Sequence, residues 1–438
     1  MGVAAIENLS TGKNRGGRKI LCFDPPNPPI IAAKRKAKTT EMKKYDVAVV
    51  GGGPSGLQTA RLLAAAGFCV GLFEEKEEIG SHVICTGIVG REIFREFEIP
   101  DDSVIGELRS MNIVGPTGRT LFYEHPSAYA SVVDRGRFDR GLARSAVLAG
   151  VDVRTGIQVQ SAVISSKDVK LRIREKGHVA GMISAAVLVL ATGIKNNLQK
   201  SLGLGAPKCF LAGVQSEIEI AGESGPSVFV GRGVAPGAFG WAVPTESGWM
   251  KVGLITDRDP QQNFLRFLAV VRPESPDAIT AMDIKIKPIA QGLVPHTSAE
   301  RVVVVGEAAG QVKTTTGGGI YYGLLGARVA ADVITKSFRS GSFAASALVE
   351  YERLWRAVLK REILIGYYVR KAFSVLDDAR IEKLMDVARQ DGIMPLIRAK
   401  GHFDWQSGLI VDLLRKAPVF RLFREIGRPP VRLKKYWS

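Results

Sequence analysis

Near the start of the chain, Gly51-Gly52-Gly53-Pro54-Ser55-Gly56 has the spacing G-x-G-x-x-G. Placed between a strand and a helix, such a run takes the pyrophosphate of a dinucleotide. Gly51 permits the tight turn, Gly53 lets the backbone approach the phosphates, and Gly56 lets helix and strand pack closely. The helix N-terminus then offers free N–H groups and the positive end of its dipole to the anion. Glu74, twenty-three residues after Gly51, can accept hydrogen bonds from the adenosine ribose.

A second segment lies far downstream. Gly306-Glu307-Ala308-Ala309-Gly310 is followed by Gly317-Gly318-Gly319-Ile320. An acid at a strand end, then glycines opening a helix, suits the ribityl chain and ring of a flavin. No second G-x-G-x-x-G follows a strand, so a single bound dinucleotide, FAD, is the economical reading.

These motifs need particular elements around them. Tyr45–Val50 reads as a buried parallel strand, Leu57–Ala66 as a helix stopped by Gly67, and Cys69–Phe73 as the next strand. Arg301–Gly306 and Tyr321–Lys336 repeat the strand–helix pattern downstream. The expectation is an α/β protein with a three-layer, Rossmann-like FAD/NAD(P)-binding fold built from residues 42–200 and 298–340. The alternating runs Val151–Val159, Val169–Ile173, Ser227–Gly231 and Lys251–Thr256 read as a mixed or antiparallel sheet over the flavin. An inserted substrate lobe is assigned to 201–297 and a helical region to 341–438. There Leu348, Tyr351, Leu354, Trp355, Val358 and Leu359 recur at helical spacing, and Val419 to Ile426 reads as a basic amphipathic helix.

Composition excludes several classes. The chain carries a net charge of +17, but residues 1–44 hold ten Lys/Arg against three acids and residues 415–438 hold eight against one. A basic excess confined to two ends is not the footprint of a nucleic-acid protein. It suits an anionic membrane surface or an acidic partner instead. Residues 1–41, rich in Pro and Lys/Arg, read as a poorly ordered basic tail, with folding from Met42. No apolar run is long enough to span a bilayer. Cys22, Cys69, Cys85 and Cys209 form neither a metal pattern nor a disulfide framework, and the five histidines show no metal spacing. No metal site is expected, and the reducing cytoplasm fits best.

Taken together, the GGGPSG run with Glu74, Cys85-Thr86-Gly87, Val133-Asp134-Arg135 through Phe138-Asp139, Gly237–Pro244 and the GEAAG…GGGI segment resemble the geranylgeranyl reductase family. That family stands within the hydroxylase-like FAD proteins. The resemblance implies that Ser55 meets the pyrophosphate, Arg135 the phosphate region and Val159 the adenine side. It places Cys85, Thr86 and Ile88 near the flavin, Glu307 on the ribityl hydroxyls, and the Gly319 and Ile320 N–H groups on the isoalloxazine. Phe239, Trp241 and Pro244 would line an apolar path for a prenyl chain. The chain departs from the family in having Glu307 where Asp is usual, Thr192 where many relatives carry Asp, and Lys313–Thr316 where a Pro is common.

The implied activity is reduction of isolated C=C bonds in a prenyl or isoprenoid lipid, by hydride from reduced flavin. For the proton, Cys85 and Tyr129 are the candidates, with water an equal alternative. A ferredoxin-like protein or NAD(P)H would be the electron donor, and contact with the inner face of the membrane would be peripheral. A flavin monooxygenase or halogenase, and an electron relay to quinone, remain as alternative readings.

Overall fold

Val47 and Val49 face one side of the first strand and Ala48 and Val50 the other, and all four are buried. A strand apolar on both faces must be covered on both, as in a parallel sheet between two layers. The computed structural model describes residues 42–219, 225–245, 248–272, 283–389, 392–419 and 421, and it has this arrangement. The expected tail, 1–41, and all but the first residues of the expected basic helix lie outside the described residues.

The described chain runs through β1 (Lys43–Val50), α1 (Pro54–Ala65), β2 (Val70–Phe73), β3 (Ile88–Gly90), α2 (Glu92–Glu96), β4 (Val104–Leu108), β5 (Ser110–Val114), β6 (Thr120–Glu124) and β7 (Ala130–Val133). Then come α3 (Arg135–Leu148), β8 (Asp152–Arg154), β9 (Ile157–Ile164), β10 (Val169–Glu175), β11 (His178–Leu190), α4 (Asn197–Ser201), β12 (Cys209–Glu219) and β13 (Ser227–Phe229). β14 (Gly240–Pro244), β15 (Trp249–Thr256), α5 (Pro260–Val271), β16 (Lys285–Gln291), β17 (Ser298–Ala299) and β18 (Val302–Val304) follow. Helices close the chain: α6 (Ile320–Ser340), α7 (Ala345–Phe373), α8 (Asp378–Ala388), α9 (Ile393–Lys400) and α10 (Ser407–Leu414).

The first sheet has the order β17-β18-β11-β1-β2-β8, with β1 parallel to both β11 and β2. Val47, Val49, Leu72, Val187 and Val303 pack under α1, α3 and α6. The alternate residues Ala48, Val50, Phe73, Leu188 and Val304 pack against β9 and β10, which pair with each other and with β11 as an antiparallel ribbon. Helices, sheet and ribbon are the three layers. Val151–Val159 and Val169–Ile173 therefore belong with this first sheet and not with a sheet over the flavin, a correction to their grouping by alternation alone. Half-burial on a ribbon produces the same period of two as half-burial in a separate lobe.

The second sheet has the order β16-β12-β15-β14-β13-β5-β6 and is antiparallel except between β13 and β5. Residues 110–124, which the sequence reading grouped with the cofactor-binding segment, supply two of its strands. One face packs Val214, Val252 and Leu254 on Phe264 and Phe267 of α5. The other carries Leu211, Trp241, Ile255 and Ile289. A third, small sheet has the order β3-β7-β4.

α7 presses Leu348, Tyr351, Trp355 and Leu359 into the core under the first sheet, whereas Val358 is 45% exposed. Each buried Leu there contributes about 1.5–3 kcal/mol. Among the described residues no helix is long and apolar enough to cross a membrane, and no group of His, Cys, Asp and Glu could hold a metal ion.

Candidate functional site

In open parallel sheets ligands bind beyond the carboxyl ends of the strands. Here four such ends converge. Gly51 follows β1 and donates its N–H to Phe73 at 2.9 Å, and Glu74 follows β2. Ala191 follows β11 and donates to Val50 at 2.8 Å, while Val305 follows β18 and donates to Leu190 at 2.9 Å. Gly51 has φ +110°, and a Cβ there would strike the Ala191 carbonyl. Gly306 has φ +70°, and its Cβ would stand 2.6 Å from the Ser55 hydroxyl. Only glycine fits such left-handed, crowded positions. The segments around 51 and 306 thus close on one another.

They border a single cavity of about 1290 Å³. Gly51, Gly53, Ser55, Glu74, Cys85, Thr86, Ile88, Tyr129, Arg135, Val159, Phe239, Trp241, Gly306, Glu307, Gly319 and Ile320 all line it. Two expected site residues do not. Gly56 sits behind the wall, where a Cβ would meet the Gly51 carbonyl and, at 3.0 Å, Ala191 Cβ, so it serves the packing of α1 on the sheet. Pro244 is the correction. Along β14, Trp241 and Val243 face the cavity, so Gly240, Ala242 and Pro244 face the α5 side by the strand's period of two.

The polar groups on the wall are held by partners both near and far in the chain. Glu74 accepts from the Gly52 N–H at 2.6 Å and the Lys76 N–H at 3.0 Å, which fixes its carboxylate over the glycine turn. Arg135 is bound to both oxygens of Asp139, at 3.0 and 2.9 Å. Burial alone would lower its pKa, but Asp139 and the neighbouring Cys85 thiol outweigh burial and raise it. Thr86 donates to Gln215 Oε1 at 3.2 Å, tying the Cys85 loop to β12. Burial pushes the Tyr129 phenol up, so it remains protonated throughout the neutral range. Glu307 accepts from Lys287 Nζ at 2.8 Å, a link from β16 across to the first sheet.

Behind Glu307, Gln311 accepts from the Gly306 N–H at 2.7 Å and donates to Tyr351 at 2.9 Å, and Tyr351 donates to Val304 O at 2.6 Å. Lys313 is buried with Asp404, at 2.6 Å, beside the Gly317–Gly319 turn. Sequence reading missed Gln215, Lys287, Gln311, Lys313 and Asp404 as site residues. The last four lie in or near the flagged downstream segment or pair with it, but their partners come from other elements.

The wall accepts a dinucleotide. The first turn of α1 has neither a side-chain cap nor an acid, and nothing stands within 4 Å of where a Gly53 Cβ would be. α6 likewise starts at Gly319 without a side-chain cap. Thr192 Oγ1 and Thr316 Oγ1 are buried on the cavity wall with no hydrogen-bond partner. Buried polar atoms without partners are rare, and a bound polar ligand satisfies them.

Residues 44–210 match the FAD binding domain family. A digeranylgeranylglycerophospholipid reductase from Methanospirillum hungatei is 29% identical over 363 residues, 77% of this chain and 87% of the relative. Another so named, from Methanoculleus marisnigri, is 28% identical over 395 residues, 85% of this chain and 96% of its own. A crystal structure of a geranylgeranyl bacteriochlorophyll reductase-like protein from Thermoplasma acidophilum superposes with a TM-score of 0.77 at 21% identity, covering 88% of this chain and all of that one. This chain is an FAD-dependent oxidoreductase, similar to the geranylgeranyl reductases. The same fold extends to p-nitrophenol 4-monooxygenase from Pseudomonas putida, with a TM-score of 0.65 at 18% identity over 82% of this chain and 98% of that one. The flavoprotein's cavity exceeds the 300–1,000 Å³ or so usual for one small ligand, leaving space for cofactor and substrate together.

Proposed function

We propose that this flavoprotein saturates isolated C=C bonds of a prenyl or isoprenoid lipid. The observation that carries the reading is the cavity's continuity. The cavity that the glycine turns line is also lined by the apolar side chains of Leu108, Met111, Ile113, Leu121, Val228 and Val243. The names of the relatives agree with it. When bound and reduced, FAD supplies the hydride.

The chain supplies position and exclusion of water. The first turn of α1 would take the pyrophosphate, with Glu74 at the ribose and Val159 at the adenine. Glu307, held by Lys287, would face the ribityl chain, and the Gly319 and Ile320 N–H groups the ring. Cys85, Thr86 and Ile88 would pass along its other side, and Arg135, held by Asp139, would meet the phosphate region. Phe239 and Trp241, whose rings lie 6.0 Å apart, would guide the lipid chain. An isolated alkene offers no polar handle, so rate depends on holding it within reach of the hydride in a dry site. Tyr129, packed against Tyr123 and Phe403, keeps its proton and stands beside Leu108 and Val243.

The donor would be a ferredoxin-like protein or NAD(P)H. The basic segments at the two ends would favour an acidic carrier and peripheral contact with the inner face of the membrane. To test the reading, the anaerobically reduced flavoprotein is mixed with a digeranylgeranylglycerophospholipid in micelles and the products are weighed. Gains of two mass units per bond support it. An unchanged lipid, with oxygen or halide consumed instead when these are supplied, overturns it in favour of a monooxygenase or halogenase.

A further inference from the structure

We propose that His402, Glu92, Asp404 and Lys313 form a proton line from solvent to the ring end of the cavity, serving reduction of the flavin by a donor that delivers electrons singly. It rests on the placement of the ring at the Gly317–Gly319 turn.

Lys313 belongs to that turn. Its N–H donates to Gly318 O at 2.7 Å, its carbonyl accepts from Gly317 N–H at 2.8 Å, and its Cε lies 2.9 Å from where a Gly318 Cβ would stand. Its ammonium is 5% exposed, sits 3.9 Å above the Phe403 ring, and donates to Asp404 Oδ1 at 2.6 Å and Phe403 O at 3.3 Å. An ammonium has three N–H groups, and among the described residues the third has no hydrogen-bond acceptor. Lys313 and Asp404 both line the cavity.

The far side of Asp404 leads outward. Asp404 Oδ2 and Glu92 Oε2 are both buried without hydrogen-bond partners. Both crowd the same point over Gly90, where an added Cβ would strike Asp404 Oδ2 and lie 2.8 Å from Glu92 Oε2. Carboxylate oxygens only accept, so neither can satisfy the other unless a proton comes between them. The other Glu92 oxygen is 3.7 Å from His402 Nδ1, and the His402 side chain is 61% exposed. Neighbouring charges are already committed. Arg91 pairs with Glu107, and Glu362 accepts from the Gln406 and Ser407 N–H groups. Tyr322 donates to the Asp404 carbonyl and Tyr321 to Glu96.

The bookkeeping is simple. Two electrons and one proton convert the oxidised ring to its anionic reduced form. The proton leaves Lys313 Nζ, the Asp404–Glu92 pair returns one to Lys313, and His402 replaces theirs from water. A hydride donor brings that proton with its electron pair and needs no line. A donor of single electrons brings none, which is why the line points to a ferredoxin-like carrier.

The test uses the FAD-loaded protein, photoreduced anaerobically in weak buffer with a pH-indicator dye. In the wild type, proton uptake keeps pace with flavin bleaching. In Glu92→Gln and Asp404→Asn it lags at least tenfold, and in His402→Asn, which alters only an exposed ring and leaves the fold intact, it also lags. Uptake that keeps pace in His402→Asn overturns the line. Lys313→Met that leaves both the flavin spectrum and its midpoint potential at wild-type values overturns the placement of the ring. None of these measurements uses a lipid, so a failure of the proposed substrate class shows separately.

Discussion

Removing either member of the Lys313–Asp404 pair isolates a charge in the core. With the side chains 5% and 2% exposed, solvent cannot take over from the lost partner. Breaking such a pair from one side costs about 3–5 kcal/mol, whereas replacing both members with apolar groups is often neutral or better. Lys313→Met also loses its contact with the Phe403 ring, worth about 2 kcal/mol when desolvated. We expect Lys313→Met and Asp404→Leu each to lower stability by about 3–5 kcal/mol, and the double variant by no more than about 2.

The pH dependence separates the two singles. In Lys313→Met the lone carboxylate is relieved by taking up a proton, so its penalty shrinks as pH falls, by up to about 1.4 kcal/mol per unit. In Asp404→Leu the lone ammonium is relieved by losing one, so its penalty shrinks as pH rises. Urea denaturation of the four proteins at pH 5.5, 7 and 8.5 measures both effects. Singles that cost under about 1 kcal/mol, or a double variant as damaged as the sum of the singles, would refute the reasoning.

Three further outcomes follow from single positions. Gly51→Ala places a Cβ against the Ala191 carbonyl at φ +110°, so the purified protein should lose its flavin absorbance while circular dichroism retains the sheet signal. Gly253→Ala would drive a methyl into the Trp241 indole, whose Cε2 lies 2.6 Å from the added Cβ and whose Cζ2 lies closer still. Turnover of long-chain lipids should fall at least tenfold with little change in FAD affinity, read as kcat/KM against flavin titration. Burial raises the Tyr129, Tyr321, Tyr322 and Tyr351 phenols above their usual value. Their contribution is complete below about pH 10, where unfolded tyrosines ionise, and is lost as pH rises through the folded values. Absorbance at 295 nm should show these four ionising only as the protein unfolds in alkali.

The cofactor end was legible because its signals are local. Strand, glycines, helix and terminal acid follow one another from Tyr45 to Glu74, and each constrains its neighbours within a turn or two of chain. The downstream turn was legible for the same reason. What stayed hidden depends on pairing across distance. Nothing around Ser110–Val114 announces that it pairs with Ser227–Phe229 rather than with the first sheet. Pro244 was expected on the path of the lipid because it shares a motif with Trp241. A strand sends neighbours in that motif to opposite faces, and motif membership says nothing about which face a residue takes.

The hidden ion pairs have a common logic. β16 shares no hydrogen-bonded ladder with the first sheet, nor does the segment after α9 with the Gly317–Gly319 turn. Each gap is bridged by a Lys–carboxylate contact, Lys287 to Glu307 and Lys313 to Asp404, and in both the residue from the turn region lies within a few positions of a glycine that lines the cavity. Glycines give a cofactor room by removing side chains, which also removes the apolar contacts that would hold the turn in place. A charge-assisted bond restores that hold through one atom and leaves the space open. The residues that close the site therefore stand beside its motifs and take their partners from elsewhere in the chain, and a motif search reads one half of each pair.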